Sequence, residues 1–430
     1  MNRSALLTLF LLLIPFGARA ARIDDDLRAA ERLAWQKRFA EAEQTYRAIL
    51  DGAPTSRTAS LGLGQVLLWE QRYDDAAAVY GGTLRDAPND ADARKGMATA
   101  EYWSGDFRAA QRDYAAVLRL RPNDAESRKA LAEISAASAP VLASDNEFVT
   151  DDQPLRRARM ALGYTAFSDP LTKWTAMAGT YALTARGFGS ASSPFVSIAG
   201  STSLPTLHLR VTGSLRGFRF PDGETKPLGG VAVVREWQGS NLSAEVDRHE
   251  LLYTASSLRT HASETVTTLG WNRNSDAATS AAAVHAIRYF DGNSGRAADA
   301  YHLVRVANGE RGSLALGAAV SYRDTEESRL IAVGNERRYD PYWTPQDLFE
   351  TRAVAAASLN VARATVHLHA DGGWARDRDT GVPRTFRPWR ASADVTFPLR
   401  GAFNATLGFE HQTTVFYNAN SIHLGFSGRL

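Results

Sequence analysis

The sequence predicts a two-domain α + β chain, an N-terminal helical solenoid followed by a C-terminal antiparallel transmembrane β-barrel of about 16 strands. Three observations lead there. A set of residues recurs every 34 positions in the first third of the chain, the mark of stacked helical repeats. Later the hydrophobic period becomes two, in segments of roughly ten residues with charges on one face and apolar residues on the other. Finally, the connections between these segments alternate between short and long, as they do where turns are short on one side of a membrane and long on the other.

The first element is an export signal. Arg3 supplies a charged start, A-L-L-T-L-F-L-L-L-I-P-F an apolar run, and A-R-A a small-residue cleavage site before Ala21. Residues 1–20 are therefore read as a signal peptide. The chain has 430 residues, no cysteine and a net charge of +2. That composition gives no disulfide framework and no electrostatic footprint for nucleic acid, so no nucleic-acid partner is expected.

Residues 21–138 carry the repeats. Phe39, Tyr73 and Phe107 share one position, Ala42, Ala76 and Ala110 the next, then Tyr46, Tyr80 and Tyr114, then Pro54, Pro88 and Pro122. The pattern resembles the tetratricopeptide repeat. A small alanine lets paired helices approach, the aromatics fill the gap between repeats, and proline ends the second helix. Arg128 to Ser138 reads as a capping helix. Repeats of this kind bind proteins, and no residue among them has the pattern of a catalytic group.

Residues 139–155 form a linker rich in Ala, Ser, Asp and Pro that also holds a possible first strand, and 156–430 the barrel. In L-H-L-R-V-T-G-S-L-R-G, Leu207, Leu209, Val211 and Leu215 face one way and His208, Arg210, Thr212 and Arg216 the other. The alternation points Arg210, Arg216, His208, His367, His369, Asp371, Asp394, Glu410, Glu245, Asp247 and His249 into the lumen. Such a mixed lining fits a neutral or weakly charged polymer.

Short connections fall at 168–173, 202–206, 237–241, 274–280, 308–312, 360–364 and 398–402. The longer ones between them place the outer side. If both ends of the barrel lie on the side of the short turns, an outward strand must precede Arg157 to Phe167. Val141 to Val149 is the candidate that makes sixteen.

The stretch Y-D-P-Y-W-T-P-Q-D-L-F, Tyr339 to Phe349, interrupts this alternation with four aromatics and two prolines. It falls in the longest outer connection, where proline breaks no ladder. Signal peptide, tetratricopeptide repeats and C-terminal barrel together resemble the exopolysaccharide export proteins of the cellulose synthase operon protein C and poly-N-acetylglucosamine export porin type. The W-T-P-Q of Trp343 to Gln346 is similar to an aromatic-Ser-Pro-Gln element of the cellulose exporter's barrel. The resemblance implies an outer-membrane porin of a Gram-negative bacterium, its repeats in the periplasm. They would dock synthase or export proteins of the periplasm or inner membrane while polysaccharide crosses the barrel. In this reading the flat ring faces of Tyr342, Trp343 and Phe349 stack on sugars, and Arg210, Arg216 and Asp394 hydrogen-bond polymer or water. No catalytic, cofactor or metal residue is expected. H-E-L-L-Y lacks the second histidine of a zinc protease helix, and G-F-S-G-R does not centre a serine. The alternatives are a plugged scaffold or adhesion protein, and a hydrolase embedded in the barrel.

Overall fold

The computed structural model describes residues 22–152, 155–185, 189–237, 239–333, 336–381, 383–414 and 417–430. The expected signal peptide lies outside the described residues. The chain divides into two compact units, one ending at Ser138 and the other running from Ala139 to Leu430.

Among its described residues the first unit has seven helices: α1 (22–35), α2 (Phe39–Gly52), α3 (Arg57–Trp69), α4 (Tyr73–Asp86), α5 (Ala91–Ser104), α6 (Phe107–Leu120) and α7 (Ala125–Ala137). Their starts are set by local chemistry. Ser56, Asp90, Asp106 and Asp124 each cap the following helix by accepting from its first free N–H groups. Pro54, Pro88 and Pro122 stand one residue past the C-caps of α2, α4 and α6. Ala42, Ala76 and Ala110 are fully buried, which is why nothing larger fits at the pair interface. Tyr80 inserts between Gly64 and Gly96, where a Cβ would stand 2.5 and 2.3 Å from its ring. Glycine inside a helix costs about 1 kcal/mol, less than the burial of the aromatic ring it admits. Between repeats, Asp92 accepts from Arg57 at 2.6 Å and from Arg121 at 3.0 Å. The Arg121 contact, with help from Arg57, holds the Asp92 carboxyl down at about 2.

The second unit is a closed barrel. Its wall strands are β1 (Val141–Asp151), β2 (Leu155–Asp169), β3 (Thr172–Ala185), β4 (Gly189–Leu204), β5 (Leu209–Arg219), β6 (Thr225–Trp237), β7 (Ser240–Glu250), β8 (Ser263–Asn274), β9 (Ala278–Tyr289), β10 (Ser294–Gly309) and β11 (Gly312–Thr325). A separate hairpin follows, β12 (Leu330–Val333) with β13 (Glu336–Tyr339), before the wall resumes with β14 (Leu348–Val361) and β15 (Ala364–Asp377). The three-residue β16 (Arg384–Phe386) pairs only with the end of β15. β17 (Trp389–Pro398), β18 (Phe403–Thr413) and β19 (Asn418–Arg429) complete the wall. The 17-stranded sheet less β16 leaves 16 wall strands. β1 pairs antiparallel with both β2 and β19 and so closes the ring, which leaves the wall sheet no free edge among the described residues. Val141 to Val149 is thus a wall strand, and only 138–140 connects it to α7.

The wall alternates as a membrane barrel does. Val196, Leu215 and Leu269 are 63, 58 and 59 % exposed on the outer face, where lipid rather than water suits them. Phe403 stacks on Phe426 at 5.2 Å on that same face. The short turns share one end with the barrel's termini, where the Leu430 N–H donates to the Pro140 carbonyl at 2.9 Å. Two outer connections are shorter than the sequence suggests. β3 and β4 pair as far as Ala185 opposite Gly189, and β9 and β10 turn within 290–293. Polar residues such as Thr184 and Ser190 continue a ladder as readily as apolar ones, so the strands outrun the apolar band, and Gly292 at φ +89 makes the tight reversal.

Candidate functional site

The lumen is lined from many strands because every second residue of each points inward. Arg159 of β2 pairs with Asp145 of β1, and His423 Nε2 of β19 lies 3.2 Å from the same carboxylate. Arg216 reaches Glu250 at 2.8 Å, and Arg210 pairs with Glu236 near the short-turn end. Asp371, its side chain 2 % exposed, accepts from Arg352 at 2.7 Å and Arg390 at 2.9 Å, with His369 at 2.8 Å. Asp394 faces inward opposite His367 of β15 and Gly408 of β18. His208 departs from the expected lumenal row. It sits at φ +52 in the turn before β5, outside the ladder, so strand alternation does not govern it.

The outer mouth is covered by two loops. The first, 251–262, holds the short helix α8 (Ala255–Arg259), started by a capping box between Thr254 and Ser257. Its Leu252 and Leu258 bury against Phe218 and Phe220 of the β5 side, and its Leu252 carbonyl accepts from Arg157 of β2 at 2.6 Å. A loop leaving β7 thereby reaches across the mouth to β2. Outside it, His261 lies 2.6 Å from Asp222 and 3.1 Å from Glu224, which staples the β5–β6 turn to the loop.

The second loop, 326–347, contains the aromatic insert. Tyr342 stacks on Tyr289 at 4.2 Å and donates to Asp291 at 2.8 Å. Burial, with Asp291 adding to it, pushes that hydroxyl up to about 12, so it stays a neutral donor. The loops are joined where Thr254 Oγ1 donates to Asp340 at 2.7 Å. Trp343 lies beneath the Arg323 guanidinium, 5.0 Å from its ring centroid. Its buried indole N–H has no hydrogen-bond partner, and it borders a cavity of about 60 Å³ shared with Tyr253, Tyr417, Arg157, Gln412 and Asp151. These residues come from β1, β2, β18, the β18–β19 connection and both loops, so the cavity lies where the loops meet that side of the wall.

The six candidate glycan residues thus part company. Arg210, Arg216 and Asp394 line the lumen, the two arginines already paired with carboxylates, while Trp343 lies on the loop at the mouth. Tyr342 is fully buried and offers no ring face to a sugar in this conformation. Its phenol is satisfied inside the lid and its ring is spent on Tyr289. Phe349 does not belong to the loop at all. It is the second residue of β14, and Glu350 and Arg352 occupy the inward positions there, so Phe349 faces outward, 38 % exposed. Sequence reasoning missed Tyr253, Tyr417, Arg157 and Arg323. Tyr253 and Tyr417 each stand just beyond a strand end on the outer side, a position that would have pointed to the mouth.

A tetratricopeptide repeat family profile matches residues 33–100. Among solved structures, a bacterial polysaccharide outer membrane secretin aligns with a TM-score of 0.53 at 11 % identity, covering 68 % of this chain and 99 % of that one. The first tetratricopeptide domain of Spaghetti (RPAP3), bound to an HSP90 peptide, aligns with a TM-score of 0.26 at 19 % identity over 27 % of this chain and 91 % of that one. MamA from Desulfovibrio magneticus RS-1 gives 0.26 at 20 % over 26 % of this chain and 64 % of that one. No curated protein matches the chain. The chain carries tetratricopeptide repeats ahead of a 16-strand antiparallel barrel, and that barrel has the fold of a polysaccharide outer membrane secretin.

Proposed function

We propose that the protein is an outer-membrane export porin through which an exopolysaccharide leaves a Gram-negative cell, the repeats lying in the periplasm and docking synthase or export proteins. The observation that carries this reading is the barrel itself: closed, apolar outside, and lined inside by paired charges that leave the lumen hydrated. The likeness in fold to a polysaccharide secretin supports it. Transport is passive, with polymer pushed from the synthase. Trp343 offers its ring at the mouth, while Arg210, Arg216 and Asp394 offer polar edges to polymer and water. The two mouth loops part for passage, and the Thr254–Asp340 bond is the contact to be broken.

The crossing loops favour a second reading, a plugged scaffold whose repeats recruit partners. Two measurements separate them. Deleting the gene in its native host should lower polysaccharide in the medium and raise it in the periplasm, and the purified barrel should open at least transiently in a planar bilayer. Unchanged secretion with a barrel that never conducts would favour the scaffold.

A further inference from the structure

Arginines gather on the outer face of the wall, at the long-loop end of neighbouring strands. The ladder sets Arg248 of β7 and Arg288 of β9 in one row, on either side of Thr265 of β8. All three share the outward face with apolar residues nearer the short turns. Arg248 lies two residues from Val246, Thr265 four from Leu269 and Arg288 four from Val284, and those apolar side chains are 47, 59 and 55 % exposed. Arg296 of β10, opposite Ala286, adds a third cation and bonds Asp324 at 3.1 Å.

Arginines of the lumen are neutralised: Arg159 by Asp145, Arg216 by Glu250, Arg352 by Asp371. Arg248 and Arg288 are exposed and meet no carboxylate among the described residues, Arg248 reaching the Ser263 hydroxyl at 3.5 Å. A cation on the lipid face is costly in the hydrocarbon and tolerated at the headgroups, where an anion can neutralise it. Two strand spacings, about 10 Å, separate the two arginines. Both guanidinium forks can therefore close on one phosphate, with the Thr265 hydroxyl between them.

Below this clamp the same strands carry an outer groove of about 550 Å³, where Ala244 and Ala282 leave room between Leu242, Leu269, Trp271 and Val284. Charge and apolar groove thus lie along one stretch of wall, as the phosphate and acyl chains do in one lipid. A second outer groove of about 520 Å³ runs over β3 to β5, floored by Gly200 and Gly213. Its strands offer a lone arginine, Arg219 at the end of β5, and the facing strand β4 has no charged residue to complete a clamp. The outer leaflet of a Gram-negative outer membrane presents phosphorylated glycolipid at this level, and that decides between the phosphate-bearing lipids.

We propose that Arg248, Thr265 and Arg288 dock a phosphate of a multiply acylated glycolipid of the outer leaflet, whose chains lie in the groove below. The proposal rests on the outer-membrane placement of the barrel and not on what crosses it. The test is native mass spectrometry of the full-length protein in detergent, titrated with diphosphoryl lipid A, with the same lipid stripped of its phosphates, and with phosphatidylglycerol. The diphosphoryl lipid should give a discrete adduct at the lowest concentration. The Arg248→Ala, Arg288→Ala double variant should weaken it about tenfold, and Arg219→Ala should leave it unchanged. The double lysine variant should fall between, because it keeps the charge and loses the fork. These side chains are exposed, so all variants should melt as the wild type does. Equal binding of the stripped lipid or of phosphatidylglycerol, or undiminished binding by the double alanine variant, overturns the site. Fractionating the envelope of the native host separates this from the placement itself: protein in the outer membrane without an arginine-dependent adduct removes the lipid site alone, whereas protein absent from that membrane removes both.

Discussion

The aromatic residues of the repeats and those of the barrel mouth meet opposite fates. In the repeats, Trp35, Trp69 and Trp103 are periodic and exposed; at the mouth, Tyr339, Tyr342 and Trp343 are crowded together, and Tyr342 is fully buried. At the mouth Tyr342 stacks on Tyr289 of β9 and Trp343 lies beneath Arg323 of β11, so the insert packs on the wall and builds a lid, whereas each tryptophan on a helix end meets one or two neighbouring rings and keeps its other face in solvent. The density that marks Tyr339 to Phe349 in the sequence is therefore a sign of docking on the wall and the neighbouring loop, and exposure falls on the periodic helix ends.

The largest test of that contrast removes a buried tyrosine from each region. Tyr80→Ala vacates the gap between Gly64 and Gly96 and should cost about 3–5 kcal/mol. The loss should spread, because each repeat is stable only against its neighbours, and the helical circular dichroism should melt well below the wild type. Tyr342→Ala loses a ring of the same size, but the barrel is closed by its ladders and not by its lid. Its strands should keep their melting temperature while channel openings in a planar bilayer become more frequent. If Tyr342→Ala instead lowers barrel stability, the lid is part of the core and the contrast fails.

A smaller effect is expected from Glu101 of α5. Burial first, and then the nearby carboxylates of Asp113 and Asp106, push its carboxyl up to about 8. Folding thus holds a proton that the unfolded chain, with an ordinary value of about 4.3, releases. The associated stability is present below about pH 4.3 and is lost as pH rises through 8. Asp92 works the other way, since its lowered value contributes stability above about pH 3.9 that disappears as pH falls toward 2. Glu101→Gln should melt several degrees higher than wild type at pH 9 and nearly together with it at pH 4. Equal gains at both pH values would trace the effect to packing and not to charge.

Much of this architecture is legible from residue types alone, for physical reasons that differ between the units. The 34-residue period reveals the helices because each repeat is held by contacts with its nearest neighbours, so the same residue solves the same packing problem three times. Strand alternation gives the lumenal faces of Arg210, Arg216 and Asp394 for a similar reason: the side-chain period is a property of the backbone. The ends of strands are less legible, as β3 and β4 show by pairing through serines and threonines beyond the apolar band. The mouth is the least legible. That Leu252 meets Arg157, or Thr254 meets Asp340, depends on loops crossing the barrel from separate strands, and no local pattern encodes those distances. Phe349 falls at the boundary, where one residue of register decides between loop and wall.

The clasp between the loops offers the next test. Thr254→Val keeps the shape and removes the donation to Asp340, a contact between the loops worth about 1 kcal/mol, together with the cap that the same oxygen makes on the Ser257 N–H inside the first loop. A change of that size should raise the open fraction about fivefold if the loops part at this point. Single-channel recording should then find longer or more frequent openings, with unchanged unit conductance because the lumen is the same. Unaltered gating would mean that the loops move together, as one lid, and that the Asp291–Tyr342 bond is the hinge to examine.

The smallest effect is the sharpest for locating function. Trp343 and Phe349 are six residues apart, yet one borders the lumenal cavity and the other stands on the outer wall opposite Tyr322. Trp343→Ala removes the ring beneath Arg323 and enlarges the cavity, so both conductance and polysaccharide secretion should change. Phe349→Ala removes a side chain that meets only lipid or the outer surface, and conductance and secretion should both match the wild type. Equal defects from the two substitutions would mean that β14 shifts when its outer face is trimmed, so that the lid senses the membrane through this strand. With a null result at Phe349 beside a defect at Trp343, passage depends on the inner face of the insert, and the outer aromatic serves only to seat the strand in the bilayer.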